Sequence, residues 1–295
     1  MLRSITALAL LAACFVSPAK AETTLCTEIT SLPATLSVQG IYCLKHDLST
    51  GITAGNAITI AANNITIDCN GFKVGGLTAG AGTRAHGFHA TDRANVTIRD
   101  CNIRGFYRGI VLDGTASAGH LIEGNALNGN TYLGMRIQGE GNTIRGNRIV
   151  NTGGTDDPNG TYGGILFNGS SGRIADNDIA GAVSTGNLNS LKGIYVAGPR
   201  NVVESNRISD LVAPAAGQVK AIMLIGNPTE MPLQTILRGN SVLMPPGTQG
   251  YAIYVKVPSS VCRDNDLLGF DAAWLESQTT NELDACTDAG GNVTK

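Results

Sequence analysis

Charge and aromaticity are scarce in this 295-residue chain: charged residues make up 15% and aromatic ones 5%, with one tryptophan and four histidines. The formal net charge is −2, so the broad basic surface that nucleic-acid binding requires is missing. No second apolar run reaches the roughly 18 residues of a spanning helix, so no transmembrane segment is expected. No C-x-x-C pair occurs, and three of the four histidines, 86, 89 and 120, lie well away in sequence from a C-x-x-H spacing, which argues against a zinc site. Helix-length amphipathic patterns are also lacking, which argues against alternating strand–helix units.

What the chain has instead is glycine and asparagine, 38 and 24 residues respectively. Both tolerate left-handed backbone angles, so the composition suits a chain that turns corners constantly. The asparagines recur in a pattern. Asn142-Thr-Ile-Arg-Gly-Asn147 has relatives at Asn64–Asn70, Asn95–Asn102, His120–Asn125, Gly172–Asn177, Asn201–Asn206, Thr235–Asn240 and Ser260–Asn265. The corner asparagines are then 70, 102, 125, 147, 177, 206, 240 and 265, spaced by 22 to 34 residues. Repeats of this length mark a stacked solenoid.

Met1–Ala21 reads as a secretory signal, with Arg3, the apolar run Ile5–Ala13 and the small-residue site Ala19-Lys20-Ala21. A secreted or periplasmic protein follows; Leu11-Ala-Ala-Cys14 offers a lipoprotein alternative. Cleavage after Ala21 removes Arg3 and Lys20, leaving 19 basic and 23 acidic residues and a net charge of −4. Six cysteines remain, at 26, 43, 69, 101, 262 and 286, an even number that points to disulfides in an exported protein. Position favours Cys26–Cys43 and Cys262–Cys286 as staples at the two ends; Cys69 and Cys101 either bridge or stack as buried thiols. The expected organisation is a cap over 22–56, a regular body over 57–270 and a closing cap over 271–295, with Trp274 covering the last coil.

A second signature accompanies each corner: a strand bounded by small residues. It runs through Gly87-Phe-His-Ala-Thr91, Gly109-Ile-Val-Leu-Asp-Gly114, Gly134-Met-Arg-Ile-Gln-Gly139, Gly164-Ile-Leu-Phe-Asn-Gly169, Gly193-Ile-Tyr-Val-Ala-Gly198, Ala221-Ile-Met-Leu-Ile-Gly226 and Ala252-Ile-Tyr-Val-Lys-Val257. Identical segments separated by a full repeat stack in parallel, one rung per turn, about 4.8 Å apart. The N-x-x-I-x-x-N-x-I and G-I-x-L-x-G alternation, from about Ala57 to Phe270, resembles the right-handed parallel β-helix proteins of the pectate lyase-like superfamily. That resemblance implies an all-β solenoid with a stacked asparagine ladder. It fixes no activity, because the fold carries lyases, hydrolases, epimerases, tailspikes and adhesins.

If the Ile and Leu of G-I-x-L point inward, alternation gives two outward columns. One holds His89, Val111, Arg136, Leu166, Tyr195, Met223 and Tyr254; the other holds Thr91, Asp113, Gln138, Asn168, Ala197, Ile225 and Lys256. The longest insertions, Asn151–Gly163, Ala182–Lys192, Leu211–Lys220 and Met244–Gly250, all precede these strands and can wall a groove above them.

In the polysaccharide enzymes the chain resembles, such a face is the substrate groove, so the resemblance implies a polysaccharide partner, more acidic than neutral. Lyase or epimerase chemistry on a uronate needs a base for the proton beside the carboxylate and a cation for the growing charge. His89 supplies the base and Arg136 the cation, with Asp113 orienting either one; the plainer alternative is a solvated ion cluster. Gln138, Asn168, Tyr195, Tyr254 and Lys256 are the expected substrate contacts, the tyrosines by stacking on sugar rings. No metal ligand set is assigned: Asp113 alone among these columns is acidic, so Ca²⁺, which the resemblance makes conceivable, has little support. Asp156-Asp157 is read as a solvated turn, with paired-carboxylate hydrolysis as the sharper option. The remaining rival is a non-catalytic carbohydrate-binding or adhesive envelope protein.

Overall fold

The computed structural model describes residues 23–157, 162–184, 191–214, 217–226, 234–256, 259–270, 275–277 and 286–294. Met1–Ala21, Cys14 and Trp274 lie outside these residues. Among the described residues, three parallel sheets of 11, 10 and 10 strands wrap one interior. The chain contributes to each sheet in turn: Asn56–Ile60 to a broad sheet, Ile65–Asp68 to a second, Lys73–Gly75 to a third, and His86–Thr91 back beside Asn56–Ile60. Strands in both end segments, from Thr27–Glu28 to Val293–Thr294, continue the same sheets. The architecture is the expected all-β parallel solenoid, and its one helical turn among the described residues is Leu77–Ala79.

Each rung sends apolar side chains inward at repeating places, so like stacks on like. Ile98, Ile122, Ile144 and Ile174 form one column from paired strands. Ile103, Leu127, Ile149 and Ile179 form another, and Ile165, Ile194, Ile222 and Ile253 a third. All are at most 1% exposed, and each such side chain contributes roughly 2 kcal/mol by leaving water.

The corners are held by amides. Asn125, Asn147, Asn177, Asn206, Asn240 and Asn265 each donate from Nδ2 to the Oδ1 of the next asparagine, at 2.9–3.0 Å. The last of these bonds reaches Asn292, a rung the sequence reading did not include. Each Oδ1 also accepts the backbone N–H of the preceding asparagine. The residue before each ladder position is left-handed: Gly146 has φ 61° and Asp176 φ 57°. Glycine and short polar residues occupy it because a bulky side chain is strained there.

Two expected corners are corrected. Asn102 pairs in register with Ala126, one residue past Asn125, so Asn70 and Asn102 stand outside the ladder. Their rungs place Cys69 and Cys101 there instead, joined by a disulfide, and the Cys101 N–H donates to Asn125 Oδ1 at 3.0 Å. A covalent bridge thus takes over from the amide ladder where asparagine stops. Cys26–Cys43 and Cys262–Cys286 pair as expected.

Candidate functional site

The broad sheet carries the outward columns in the expected register. His89, Val111, Arg136, Leu166, Tyr195, Met223 and Tyr254 are paired neighbours from strand to strand. Strict alternation breaks at the start of each strand, however. Gly109 and Ile110 both face the interior: a Cβ on Gly109 would lie 2.7 Å from Leu127 Cδ2 and 2.7 Å from the Gly134 carbonyl oxygen. Two successive inward positions leave the residue before the glycine facing out. A third outward column results, containing His86, Arg108, Lys192, Lys220 and Tyr251. Period-two reading cannot see it, although the cation preceding Gly109 and Gly193 was a usable signal.

His89, Asp113 and Arg136 are brought together. Asp113 Oδ1 lies 4.0 Å from His89 Nε2 and Oδ2 lies 4.0 Å from Arg136 Nε. The Thr91 hydroxyl donates to Asp113 Oδ1 at 3.1 Å and stands 3.5 Å from His89 Nε2. Burial pulls the His89 pKa below its ordinary value; Asp113 opposes this and Arg108 adds to it. His89 is therefore a neutral imidazole at neutral pH, able to accept a proton.

His86 stacks on His89 with centroids 5.4 Å apart. Its pKa falls to about 4, chiefly by burial and then by Arg108 and His89. Arg108 Nη1 is 3.5 Å from His86 Nε2. Arg108 in turn lies 5.0 Å from the Tyr107 ring and 5.2 Å from the Tyr132 ring, and those two rings stack at 4.6 Å. Aromatic faces thus hold the guanidinium in place. His86 Nδ1, Arg108 Nε and Arg136 Nε are buried and make no hydrogen bond among the described residues, an uncommon concentration of unsatisfied polar groups on one face.

A cleft of about 280 Å³ opens between Arg108, Tyr132, Leu133, Arg136, Leu166, Asn168 and Tyr195. Tyr195 and Asn168, two of the expected substrate contacts, line it. Gln138 instead accepts the Gly114 N–H at 3.4 Å and braces the turn after Asp113. Lys256 is exposed three rungs beyond Asn168. Tyr254 departs from the expectation: it is 3% exposed, with the Lys220 ammonium 3.9 Å from its ring centre. That face is already taken by a cation and offers no open platform to a sugar.

The Asp156-Asp157 segment is a clasp rather than a free turn. Asp156 pairs with Arg84 at 2.7 Å and Asp157 accepts from the Tyr107 hydroxyl at 2.7 Å. Both carboxylates serve the wall behind Arg108, which leaves the paired-carboxylate hydrolysis without free acids. Ca²⁺ fits poorly as well. Asp113, the one carboxylate of these columns, is flanked by Arg136 and His89, and no group of three potential metal ligands converges among the described residues.

Residues 86–229 match the family described as right handed beta helix region, which covers the strands bearing His86, His89, Asp113, Arg136 and Tyr195. No curated protein sequence is matched. Among solved structures, the chain is similar to the Dettilon tailspike protein, at 15% identity and TM-score 0.51, over 91% of this chain and 53% of that one. It is also similar to a tailspike of E. coli bacteriophage HK620 in complex with a pentasaccharide, at 11% identity and TM-score 0.48, over 87% and 60%. A third is the A-module of a mannuronan C-5 epimerase from Azotobacter vinelandii, at 15% identity and TM-score 0.43, over 86% and 80%. At these identities the likeness is one of fold. The chain spans about half the length of the Dettilon tailspike, 53%.

Proposed function

The chain folds as a right-handed parallel β-helix, and from that premise we propose that its broad sheet binds an extracellular or periplasmic acidic polysaccharide and acts on it at His89. The observation that carries this reading is the composition of one cleft: two guanidiniums, Arg108 and Arg136, with a neutral histidine on the same face. A uronate carboxylate seated between the guanidiniums turns its C5 hydrogen toward an imidazole that can accept it. As that proton moves to His89, the C5–H electron pair passes into the carboxylate, whose added charge the two arginines stabilise. The pair held in the carboxylate then forms the C4–C5 double bond while the C4–oxygen bond breaks, its electrons leaving on the glycosidic oxygen, which takes a proton from water and leaves a 4,5-unsaturated end. Delivery of a proton from water to the opposite face of C5 instead gives the epimer. Asp113 holds His89 through the shared Thr91 hydroxyl, and Asn168 and Tyr195 contact the sugar.

The test is incubation with alginate, polygalacturonate and glycosaminoglycans in heavy water. Ultraviolet absorbance reads the conjugated double bond, and proton NMR reads deuterium entering C5. Either signal, lost in His89→Ala, supports the reading. Silence in both, on polymers the protein binds, leaves the binding module as the function.

A further inference from the structure

The outward column that period-two alternation hides carries two more cations past the cleft. Lys192 and Lys220 are register partners on adjacent strands of the broad sheet, about 4.8 Å apart at the backbone. The Lys220 ammonium stands 3.9 Å from the Tyr254 ring centre and 6.0 Å from that of Tyr251, and the two rings lie 5.4 Å apart. Cation–π contact therefore fixes where this charge sits. Lys192 is only 9% exposed. Three residues further along the same strand is Tyr195, a wall of the Arg108–Arg136 cleft, so one strand bears both Lys192 and a wall of that cleft.

Bringing two ammonium groups together on a partly buried surface is unfavourable by itself. Burial, and then Lys220, lower the Lys192 pKa to about 8, so the amine is still largely charged at neutral pH. An anion seated across the pair replaces repulsion with charge-assisted hydrogen bonds. The strand bearing Lys192 lies four rungs from that bearing His89, roughly 19 Å along the axis. One sugar cannot touch both places; a chain lying across the strands can.

We infer that Lys192 and Lys220 form a second anion subsite, distal to His89, which takes the carboxylate or sulfate of a sugar several units along the same acidic chain. This rests on the reading that the broad sheet takes an acidic polysaccharide, and it makes the protein a reader of chain length rather than of single uronates. Tyr195 on the Lys192 strand and Tyr251 on the strand beside Lys220 flank the subsite, and Arg136 anchors its cleft end.

Lys192→Gln, Lys220→Gln and Lys192→Arg are compared with the wild type for binding to alginate, to polygalacturonate, to a sulfated glycosaminoglycan and to a uronate disaccharide. The first two polymers report a carboxylate site and the third a sulfate site. Each Gln variant is expected to bind the preferred polymer about tenfold more weakly, the loss that goes with one charge-assisted contact. The salt dependence of binding becomes shallower. Disaccharide binding is unchanged, and Lys192→Arg restores polymer affinity. Gln variants that bind polymer with wild-type affinity and salt dependence overturn the inference while leaving the cleft chemistry standing. A wild type that binds no acidic polymer overturns both. Polymer binding that depends on Lys192, in a protein showing no turnover, overturns the chemistry at His89 alone.

Discussion

His89 and Asp113 face each other across adjacent strands, Nε2 to Oδ1 at 4.0 Å, with the Thr91 hydroxyl between them. The carboxylate thereby offsets part of the burial that keeps the imidazole neutral. With His89 as base, the rate rises with pH as the ring loses its proton, with a midpoint below the ordinary histidine value. Asp113→Asn removes the interaction that raises the His89 pKa, so the acid limb moves to still lower pH. His89→Ala lowers the rate by about 10² to 10⁴ without altering polymer affinity to the same degree. A pH–rate profile of the three proteins checks this; an unmoved limb in Asp113→Asn removes the assigned coupling.

Arg108 acts on both histidines, lowering each pKa through its charge. Arg108→Gln is therefore expected to raise both midpoints, His86 more than His89, because the guanidinium stands 3.5 Å from His86 Nε2. Histidine titration followed by NMR gives the two midpoints directly. The same variant weakens polymer binding, since Arg108 and Arg136 line one cleft. Unchanged midpoints would mean that burial alone sets them.

The solenoid was legible because its constraint repeats: each corner needs a side chain that donates to one neighbour and accepts from another, and asparagine does so rung after rung. Legibility failed by one residue at Asn70 and Asn102, where a disulfide between Cys69 and Cys101 ties the two rungs in place of an amide pair. On the broad sheet His89, Asp113 and Arg136 could be placed because the middle of each strand alternates. Arg108, Lys192 and Lys220 could not, because two successive inward residues at each strand start shift the period. Tyr254 was misjudged because its outward direction says nothing of Lys220 lying across its ring.

Asn147 sits at the centre of the ladder: its Oδ1 accepts from the N–H and Nδ2 of Asn125, and the two hydrogens of its Nδ2 are shared among Ile122 O, Arg145 O and Asn177 Oδ1. Asn147→Ala leaves buried donors and acceptors on both flanking rungs without partners. Each orphaned group costs about 1–3 kcal/mol, so a total near 3 kcal/mol is expected in urea unfolding. A loss below about 1 kcal/mol, the worth of one ordinary bond, would mean that water replaces the amide.

Cys69–Cys101 links adjacent rungs 32 residues apart in sequence. Replacing both by serine removes a cross-link worth roughly 2–4 kcal/mol. Replacing Cys69 and Cys101 both by asparagine extends the amide ladder past Asn125, and the expected loss is about 1 kcal/mol smaller than in the serine pair. Equal unfolding midpoints for the two variants would show that this rung cannot seat an amide.

His120 stands at a different corner from the asparagine ladder, 1% exposed. Its Nδ1 accepts the Val96 N–H at 3.2 Å, so Nε2 carries the hydrogen that meets Ser117 Oγ at 2.8 Å. Burial lowers its pKa to about 4. In the unfolded chain the ring titrates near 6.5, so between pH 6.5 and 4 the unfolded state binds a proton that the native state refuses. Stability is then full above pH 6.5 and falls as pH drops toward 4, by on the order of 3 kcal/mol for this residue. Protonating Nδ1 also breaks the Val96 bond, which is why the loss cannot be relieved locally. His86, with its pKa also about 4, adds to the slope in the same window. His120→Asn keeps a side-chain acceptor for the Val96 N–H but has nothing to titrate, so urea unfolding of that variant is expected to lose roughly half of the wild type's decline between pH 7 and 4.5. A variant whose stability falls as steeply as the wild type's would place the acid sensitivity elsewhere in the chain.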